Sequence, residues 1–414
     1  MPNIFFHTFG CKVNQYETET LRSRLLRLGY QVAHRMEDSD VCVVNSCSVT
    51  EEADKKCRQY LRRILRTNPT ARVLVTGCYA TRMPQELKDI SPRIEVYSNQ
   101  DKESLPQIVS GCSLSTDESP LLTFFHGHTR AFVKVQDGCD ATCTYCIIPK
   151  VRPQMRSRPI EEIVQEVKGL LGQGYKEIVL TGIRLGSYGL QSSGGRVGKV
   201  HGNLCNLLQE LLILPGFFRI RLSSLEITEV GEDLIRLAER SEKICRHLHL
   251  PLQSGDDFIL KRMGRWYSSQ FFSETVEKIR KNLPDICITS DVIVGFPGET
   301  EGHFKNTYDF IERFLNGLHV FPFSDRQGTS AVQLPGHLSP KTIKDRVKNL
   351  LDLDRRLRKD FQNSFNGQKR QVLAETDGGF TDNGIRIPPP LPIPEGTLDW
   401  VLVPEWRSPL AIPV

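Results

Sequence analysis

The chain has no apolar run of the roughly 18–20 residues that a membrane-spanning helix needs. No membrane partner is therefore expected. Its first residues, MPNIFFHTFGCKVN, lack a basic region followed by a long apolar stretch, so no secretory signal is expected either. A strong charge excess is also missing. The net charge of +5 is compatible with a polyanionic partner and too mild to require one. Twelve cysteines spread over 414 residues fall short of a secreted disulfide scaffold. A reducing cytoplasm, with metal-binding or redox thiols, fits that usage. What remains is an ordinary composition, 39 % hydrophobic and 25 % charged, long enough for two to three packed domains.

Three cysteines crowd into one short stretch, Cys139-Asp-Ala-Thr-Cys143-Thr-Tyr-Cys146, followed by Ile147-Ile148-Pro149. Thiolates are soft ligands that select iron–sulfur clusters, zinc or copper(I). Three of them in one loop hold three irons of a 4Fe–4S cube. The fourth iron then stays open to a substrate or cofactor. A structural zinc site wants four closed ligands, so a zinc knuckle borrowing a fourth ligand is the alternative. An open iron suits an amino-carboxylate chelate, which S-adenosylmethionine offers. One-electron transfer into its sulfonium would release a radical able to abstract hydrogen from unactivated carbon, with the protein positioning the groups and excluding water.

The fold class is α/β. Near the N-terminus, strand-like runs at Asn3–Phe9, Val41–Asn45 and Val73–Thr76 alternate with helical stretches near Tyr16–Leu28 and Glu51–Thr67. That order predicts an open parallel α/β sheet. Each run ends at a cysteine: Phe9-Gly10-Cys11, Asn45-Ser46-Cys47 and Thr76-Gly77-Cys78. Loops beyond the carboxyl ends of such strands converge on one crevice. Cys11, Cys47 and Cys78 are therefore expected to meet as a second three-thiol site, with glycines beside them allowing close backbone approach. Cys42, Cys57, Cys112, Cys205, Cys245 and Cys287 read as small buried hydrophobes.

Residues 111–130 read as a linker. Beyond it, a strand at Ala131–Val135 delivers the cysteine loop. Counting that strand, about six β/α units make a partial (β/α)6 barrel with an open side. Thr181, Gly182, Glu226, Gln253 and Asp291 fall at the carboxyl ends of its strands, where barrels carry their chemistry, and are candidate cofactor contacts. Tyr145, inside the cysteine loop, is placed to pack near an adenine or simply against the loop. A long basic helix over Ser339–Phe365 and a small C-terminal β module complete the chain. The expected domains are 1–120, 125–366 and 367–414.

These motifs resemble the radical S-adenosylmethionine methylthiotransferases. The likeness runs from about residue 3 to the end of the chain. It rests on Cys139-x3-Cys143-x2-Cys146-Ile-Ile-Pro, on the settings of Cys11, Cys47 and Cys78, and on Thr181-Gly-Ile-Arg-Leu-Gly-Ser-Tyr-Gly189. His249-Leu-Pro-Leu-Gln-Ser-Gly255, Leu260-Lys-Arg-Met-Gly-Arg265 and Thr289-Ser-Asp-Val-Ile-Val-Gly-Phe-Pro-Gly-Glu-Thr300 extend it. The resemblance implies an auxiliary 4Fe–4S cluster on Cys11, Cys47 and Cys78, a radical cluster on Cys139, Cys143 and Cys146, and a C-terminal RNA-binding module called TRAM. Gly10-Cys11-Lys12-Val13-Asn14-Gln15-Tyr16-Glu17 and His319-Val-Phe-Pro-Phe-Ser324 resemble the branch acting on N6-threonylcarbamoyladenosine beside the tRNA anticodon. The implied reaction replaces the hydrogen on C2 of that base by a methylthio group. The implied partners are the tRNA anticodon stem-loop and an electron donor such as flavodoxin or ferredoxin.

The same chemistry on isopentenyladenosine or a ribosomal-protein side chain is the alternative within the family. A non-catalytic iron–sulfur RNA-binding protein is the alternative outside it. Two departures stand out. Arg152-Pro153 replaces the family's frequent Arg-Gly, and the tail is short and poor in basic residues after Arg386. Phosphate contacts could instead come from Arg58, Arg62, Arg63 and Arg66 on one predicted helix, although a solvated helix face is the commoner fate of each one singly.

Overall fold

The computed structural model describes residues 1–111, 121–193, 196–199 and 202–405. Cys112 and the last nine residues of the expected C-terminal module lie outside the described residues.

The N-terminal sheet contains β1 (Asn3–Thr8), β2 (Gln31–Val32), β3 (Val41–Ser46), β4 (Arg72–Gly77) and β5 (Ile94–Val96). All are parallel, in the order 2-1-3-4-5. β3 is buried along its whole length because helices cover both faces. Leu61 and Ile64 of the helix Glu51–Thr67 pack on one face with Cys42, Cys57, Val44 and Val73. Leu21 and Leu25 of the helix Lys12–Arg27 pack on the other with Ile4, Phe6 and Val43. Cys42 and Cys57 are thus core residues, as expected. The strand order reverses between β1 and β3, which opens a crevice at their carboxyl ends. Thr8 pairs with Asn45, and Asn45 with Thr76, so the residues that follow β1, β3 and β4 come out level.

The barrel follows, with β6 (Ala131–Asp137), β7 (Arg156–Ser157), β8 (Glu177–Gly182), β9 (Leu190–Ser193), β10 (Arg196–Lys199), β11 (Arg219–Leu222), β12 (His247–His249), β13 (Cys287–Val294) and β14 (Gly317–Pro322). β6, β8, β11, β12, β13 and β14 run parallel in chain order, six β/α units that do not close. Between β11 and β12 only an isolated bridge, Ile220 to Ile244, continues the ladder. On β13, Val292 and Val294 are buried under the helices, whereas Asp291 and Ile293 stay half-exposed and face the barrel lumen. The antiparallel hairpin of β9 and β10 was not foreseen. Residues 121–130 are irregular, as a linker would be, yet they are docked. Leu122 and Phe125 join the barrel core, and Tyr175 Oη pairs with the Phe125 backbone.

The C-terminal sheet holds β15 (Lys369–Glu375), β16 (Gly378–Thr381), β17 (Arg386–Ile387) and β18 (Leu398–Leu402), antiparallel in the order 17-16-15-18. Its own core is small: Val372, Ile385, Ile387, Val401 and Val403 with Phe365. So little apolar area holds a module weakly. Arg219 and Arg221 add polar bonds to it. Both are buried, both pair with Glu177 at 2.6 and 2.7 Å, and both donate to carbonyls of the module. Those carbonyls belong to Gln371, Phe380, Thr381 and Asp382, at 2.6–3.1 Å.

Candidate active site

Cys11 is the N-cap residue of the helix Lys12–Arg27, Cys47 follows β3, and Cys78 opens a short helix after β4. The level strand ends bring the three to the crevice. Two glycines make that approach possible. Gly10 has φ +93, and a Cβ there would lie 2.7 Å from Cys47 Sγ. Gly77 has φ +101, and a Cβ there would lie 2.2 Å from the Ser46 carbonyl. No other residue type fits either position. Burial pushes the Cys47 thiol up to about 12, and the neighbouring thiols of Cys78 and Cys11 add to the rise. Asn14 stitches the loops together by donating to the carbonyls of Phe9 and Ser46 at 2.9 and 3.0 Å.

The second set lies at the end of β6. Gly138, with φ +79, lies so close to the Gln154 carbonyl that a Cβ would come within 1.9 Å of it. Thr144 N donates to the Met263 carbonyl at 2.9 Å, and Thr144 Oγ1 to that of Arg262 at 2.9 Å. Burial pushes Cys146 up to about 12, and the nearby thiols Cys143 and Cys139 act in the same direction. Arg265 Nη1 lies 3.1 Å from Cys143 Sγ, and its Nη2 grips Glu226. Burial raises the Glu226 pKa against the opposing pull of Arg265.

The two sets share a wall. Cys78 packs in one apolar cluster with Ile147 and Val151, the residues just after Cys146. Asn99 Nδ2 spans the same joint, 3.0 Å from the Val151 carbonyl and 3.7 Å from Cys78 Sγ.

Both sets fit a cube better than one ion. Four sulfurs around a zinc ion stand about 3.8 Å apart. Among the described residues, neither cysteine set has all its donor atoms within 4.8 Å of one another; only His249, Asp291 and His319 do. Three thiols in each set suit three irons of a cube, one thiolate per iron. N–H groups also point at sulfur, from Ala141 to Cys139 at 3.5 Å and from Arg265 to Cys143.

The lumen wall carries a polar row. His249 Nε2 and His319 Nδ1 each lie 3.1 Å from Asp291 Oδ1. Thr289 Oγ1 lies 2.9 Å from His249 Nδ1 and 3.0 Å from His247 Nε2. Burial works to raise the Asp291 pKa, but the hydrogen bonds from the two imidazoles outweigh it and hold the carboxyl well below its usual range.

Of the remaining expected contacts, Gln253 joins β13 through a bridge to Val292 and is the one non-glycine with a positive φ among the described residues, at 67°. Gly182 would carry a Cβ 3.0 Å from Gln136 Oε1, and Thr181 is buried beside it. Tyr145 packs against Ile259, Met263 and Phe296. Arg58 departs from expectation. It bonds Tyr79 Oη and Glu86 at 2.7 and 2.9 Å, whereas Arg62, Arg63 and Arg66 are exposed. The helix places Arg58 toward its own domain and the other three outward.

Sequence reasoning missed the charges that join the parts. Arg152 donates to Glu17, Asp137 and Asn14 at 2.8–3.0 Å. Lys102 and Lys134 complete that network, which floors a cavity of about 450 Å³. On the far side of the crevice, Asp54 takes both Arg82 and the barrel's Arg326. Arg152-Pro153 is accommodated without glycine, because the Arg152 carbonyl accepts from Cys139 N at 3.1 Å and its own N–H is used at 2.8 Å by the Ile148 carbonyl.

Residues 3–99 match the uncharacterized protein family UPF0004, and residues 133–311 match the Radical SAM superfamily. The chain is 39 % identical to the threonylcarbamoyladenosine tRNA methylthiotransferase MtaB of Bacillus subtilis, over 94 % of this chain and 90 % of that one. It is 37 % identical to the Aquifex aeolicus MtaB, over 93 % and 96 %. A tRNA-2-methylthio-N(6)-dimethylallyladenosine synthase of Acetivibrio thermocellus is 33 % identical, over 89 % and 80 %. Among solved structures, the radical S-adenosylmethionine methyltransferase TsrM of Kitasatospora setae aligns with a TM-score of 0.56 at 13 % identity, over 78 % of this chain and 73 % of that one, a likeness of fold. With two three-cysteine sets on these two matched regions and relatives this similar along nearly the whole chain, the protein belongs to the MtaB branch of the radical S-adenosylmethionine methylthiotransferases.

Proposed function

We propose that this chain adds a methylthio group to C2 of N6-threonylcarbamoyladenosine in the anticodon stem-loop of tRNA, in the cytoplasm. The observation that carries the reading is the shared wall between the thiol sets, Cys78 against Ile147 and Val151. Radical initiation and sulfur delivery must reach one carbon, so their two centres must face a common space.

When bound, S-adenosylmethionine and the 4Fe–4S cluster on Cys139, Cys143 and Cys146 supply a hydrogen-abstracting radical, and the 4Fe–4S cluster on Cys11, Cys47 and Cys78 supplies sulfur. The chain's own residues hold and order these groups. Arg265, kept in place by Glu226, donates to Cys143 Sγ. Tyr145 walls the loop side. Thr181, Gly182, Glu226 and Gln253 line the strand ends as cofactor contacts. Arg152 locks the helix that starts beside Cys11 to the barrel. The exposed Arg62, Arg63 and Arg66 meet tRNA phosphates. The working units are 1–120 with the auxiliary site, 125–366 with the radical site, and 367–414 as a short TRAM-like module. A flavodoxin or ferredoxin supplies electrons.

The decisive experiment is nucleoside analysis of tRNA from a strain deleted for this gene and carrying no second such enzyme. The 2-methylthio form of threonylcarbamoyladenosine should vanish while the unmethylthiolated base accumulates. Its persistence would overturn the substrate assignment.

A further inference from the structure

Lys12 follows Cys11 directly and opens the helix Lys12–Arg27. It is exposed, and its side chain makes no hydrogen bond or ion pair among the described residues. Its ammonium lies within electrostatic reach of Arg130, Arg221, His247 and Asp291. Those residues come from just before β6 and from β11, β12 and β13, and the helix that Lys12 opens packs against β6 and β8, which sets Lys12 at the edge of the barrel.

An ammonium there would ordinarily take the nearest carboxylate. Each one is already engaged. Asp291 is held by His249 and His319. Glu177 is held by Arg219 and Arg221, and Glu375 by Arg130. Arg130 and Arg221 add further positive potential. Lys12 is left with no carboxylate of its own to pair with, one residue from the sulfur-holding Cys11. The wall beside it still offers an acceptor. Both imidazoles use Asp291 Oδ1, and Oδ2 has no partner among the described residues.

We propose that Lys12 and the His249–Asp291–His319 row form a subsite for the carboxylate-bearing group on N6 of the substrate adenine. Lys12 takes the threonyl carboxylate, and Asp291 Oδ2 accepts from the hydroxyl or a ureido N–H. This rests on the threonylcarbamoyladenosine reading above. The base's own geometry supports it. C2 and N6 flank N1 on one ring edge, so when C2 faces the sulfur beside Cys11, the N6 group extends along the wall where the next residue stands. A dimethylallyl group in the same place would leave the Lys12 charge without a counter-ion, a penalty that discriminates between the two substrates. The close spacing of the three donors on the wall also resembles a cation site. Yet the two imidazoles are already satisfied by Asp291, and no further group marks an ion.

The test uses reconstituted full-length protein and two anticodon stem-loop RNAs, one carrying N6-threonylcarbamoyladenosine and one carrying its threonyl methyl ester. Wild type should bind the acid about 10- to 100-fold more tightly than the ester, the worth of one charge-assisted bond. Lys12→Gln should bind both RNAs equally, at the level wild type shows for the ester, with the loss appearing in KM. Lys12→Arg should restore most of the preference. Iron content of each variant reports whether the Cys11 loop is intact, and Lys12→Met replaces Lys12→Gln if that variant loses iron. A wild type indifferent to esterification overturns the proposal, and so does a Lys12 variant that weakens both RNAs by the same factor. If wild type leaves the acid RNA unmethylthiolated, the substrate reading itself has failed; if it modifies both RNAs equally well, only this subsite has.

Discussion

Arg152 grips Glu17 with both ends of its guanidinium, Nη1 to Oε1 and Nη2 to Oε2, each at 2.8 Å. Arg152 belongs to the loop after Cys146, and Glu17 to the helix that starts beside Cys11. One buried fork thus ties the two thiol sets together. Burial works to raise the Glu17 pKa, but Lys102, Lys134 and Arg152 overcome it and hold the carboxyl well below its usual range. Arg152→Met leaves Asp137 and Glu17 short of a cation, at a cost of about 3–5 kcal/mol in denaturant unfolding. Arg152→Lys keeps the charge and loses the fork, so it should recover only part. In a double-mutant cycle, Glu17→Gln with Arg152→Met should cost less than the sum of the two. Additive losses would mean that the pair does not couple.

Iron content separates the thiol sets. Anaerobically reconstituted wild type should hold about eight irons per chain if each set carries a 4Fe–4S cube. Cys78→Ala and Cys146→Ala should each reduce that to about four, and the double variant to about zero. A wild-type value of about four would remove the auxiliary site. In Cys78→Ala, dithionite-dependent 5′-deoxyadenosine should still form while methylthiolation stops.

Gln253 holds φ at 67°, a region where a non-glycine residue costs about 1–3 kcal/mol. The strain persists because its N–H donates to the Asp291 carbonyl at 2.8 Å and its carbonyl accepts from Ile293 N at 2.9 Å. Gln253→Gly removes the penalty and the side chain together. Its melting temperature should be unchanged or higher, while its activity falls. A less stable Gln253→Gly would show that the side chain serves packing.

What the sequence made legible was local. The cysteine loop is read from spacing alone, and Cys11, Cys47 and Cys78 from their common place after apolar runs, because strand ends in a parallel sheet must come together. Arg265 on Cys143, Arg326 on Asp54 and Arg152 on Glu17 had no such signal. Their partners are far away in the chain, and in a sequence that is 25 % charged a buried arginine looks like any other. Arg219-Ile220-Arg221 shows the difficulty best. An alternating polar and apolar strand reads as one face in water, whereas here the polar face is covered by the C-terminal module. Arg58 shows the same from a helix, for it bonds inward to Tyr79 and Glu86 while Arg62, Arg63 and Arg66 of that helix are exposed.

That covered face gives the pH prediction. Glu177 is fully buried between Arg219 and Arg221. Burial works to raise its pKa, but the two guanidiniums outweigh burial and carry it well below the usual range. Its folded value is therefore lower than its unfolded value of about 4.3. A group shifted in this direction stabilises fully above the unfolded value, and its contribution is lost as pH falls through the folded one. Glu177→Gln leaves two arginines buried without a counter-ion and should cost about 3–5 kcal/mol at neutral pH. The gap between wild type and variant should stay constant from pH 7 to about 5 and narrow below about 4.3, measured by denaturant unfolding across that range. Limited proteolysis at neutral pH should release the C-terminal module from Glu177→Gln first, because the arginines that bond its carbonyls have lost the acid that positions them. A gap that widened toward acid would place the carboxyl's folded value above its unfolded one and contradict the buried pairing.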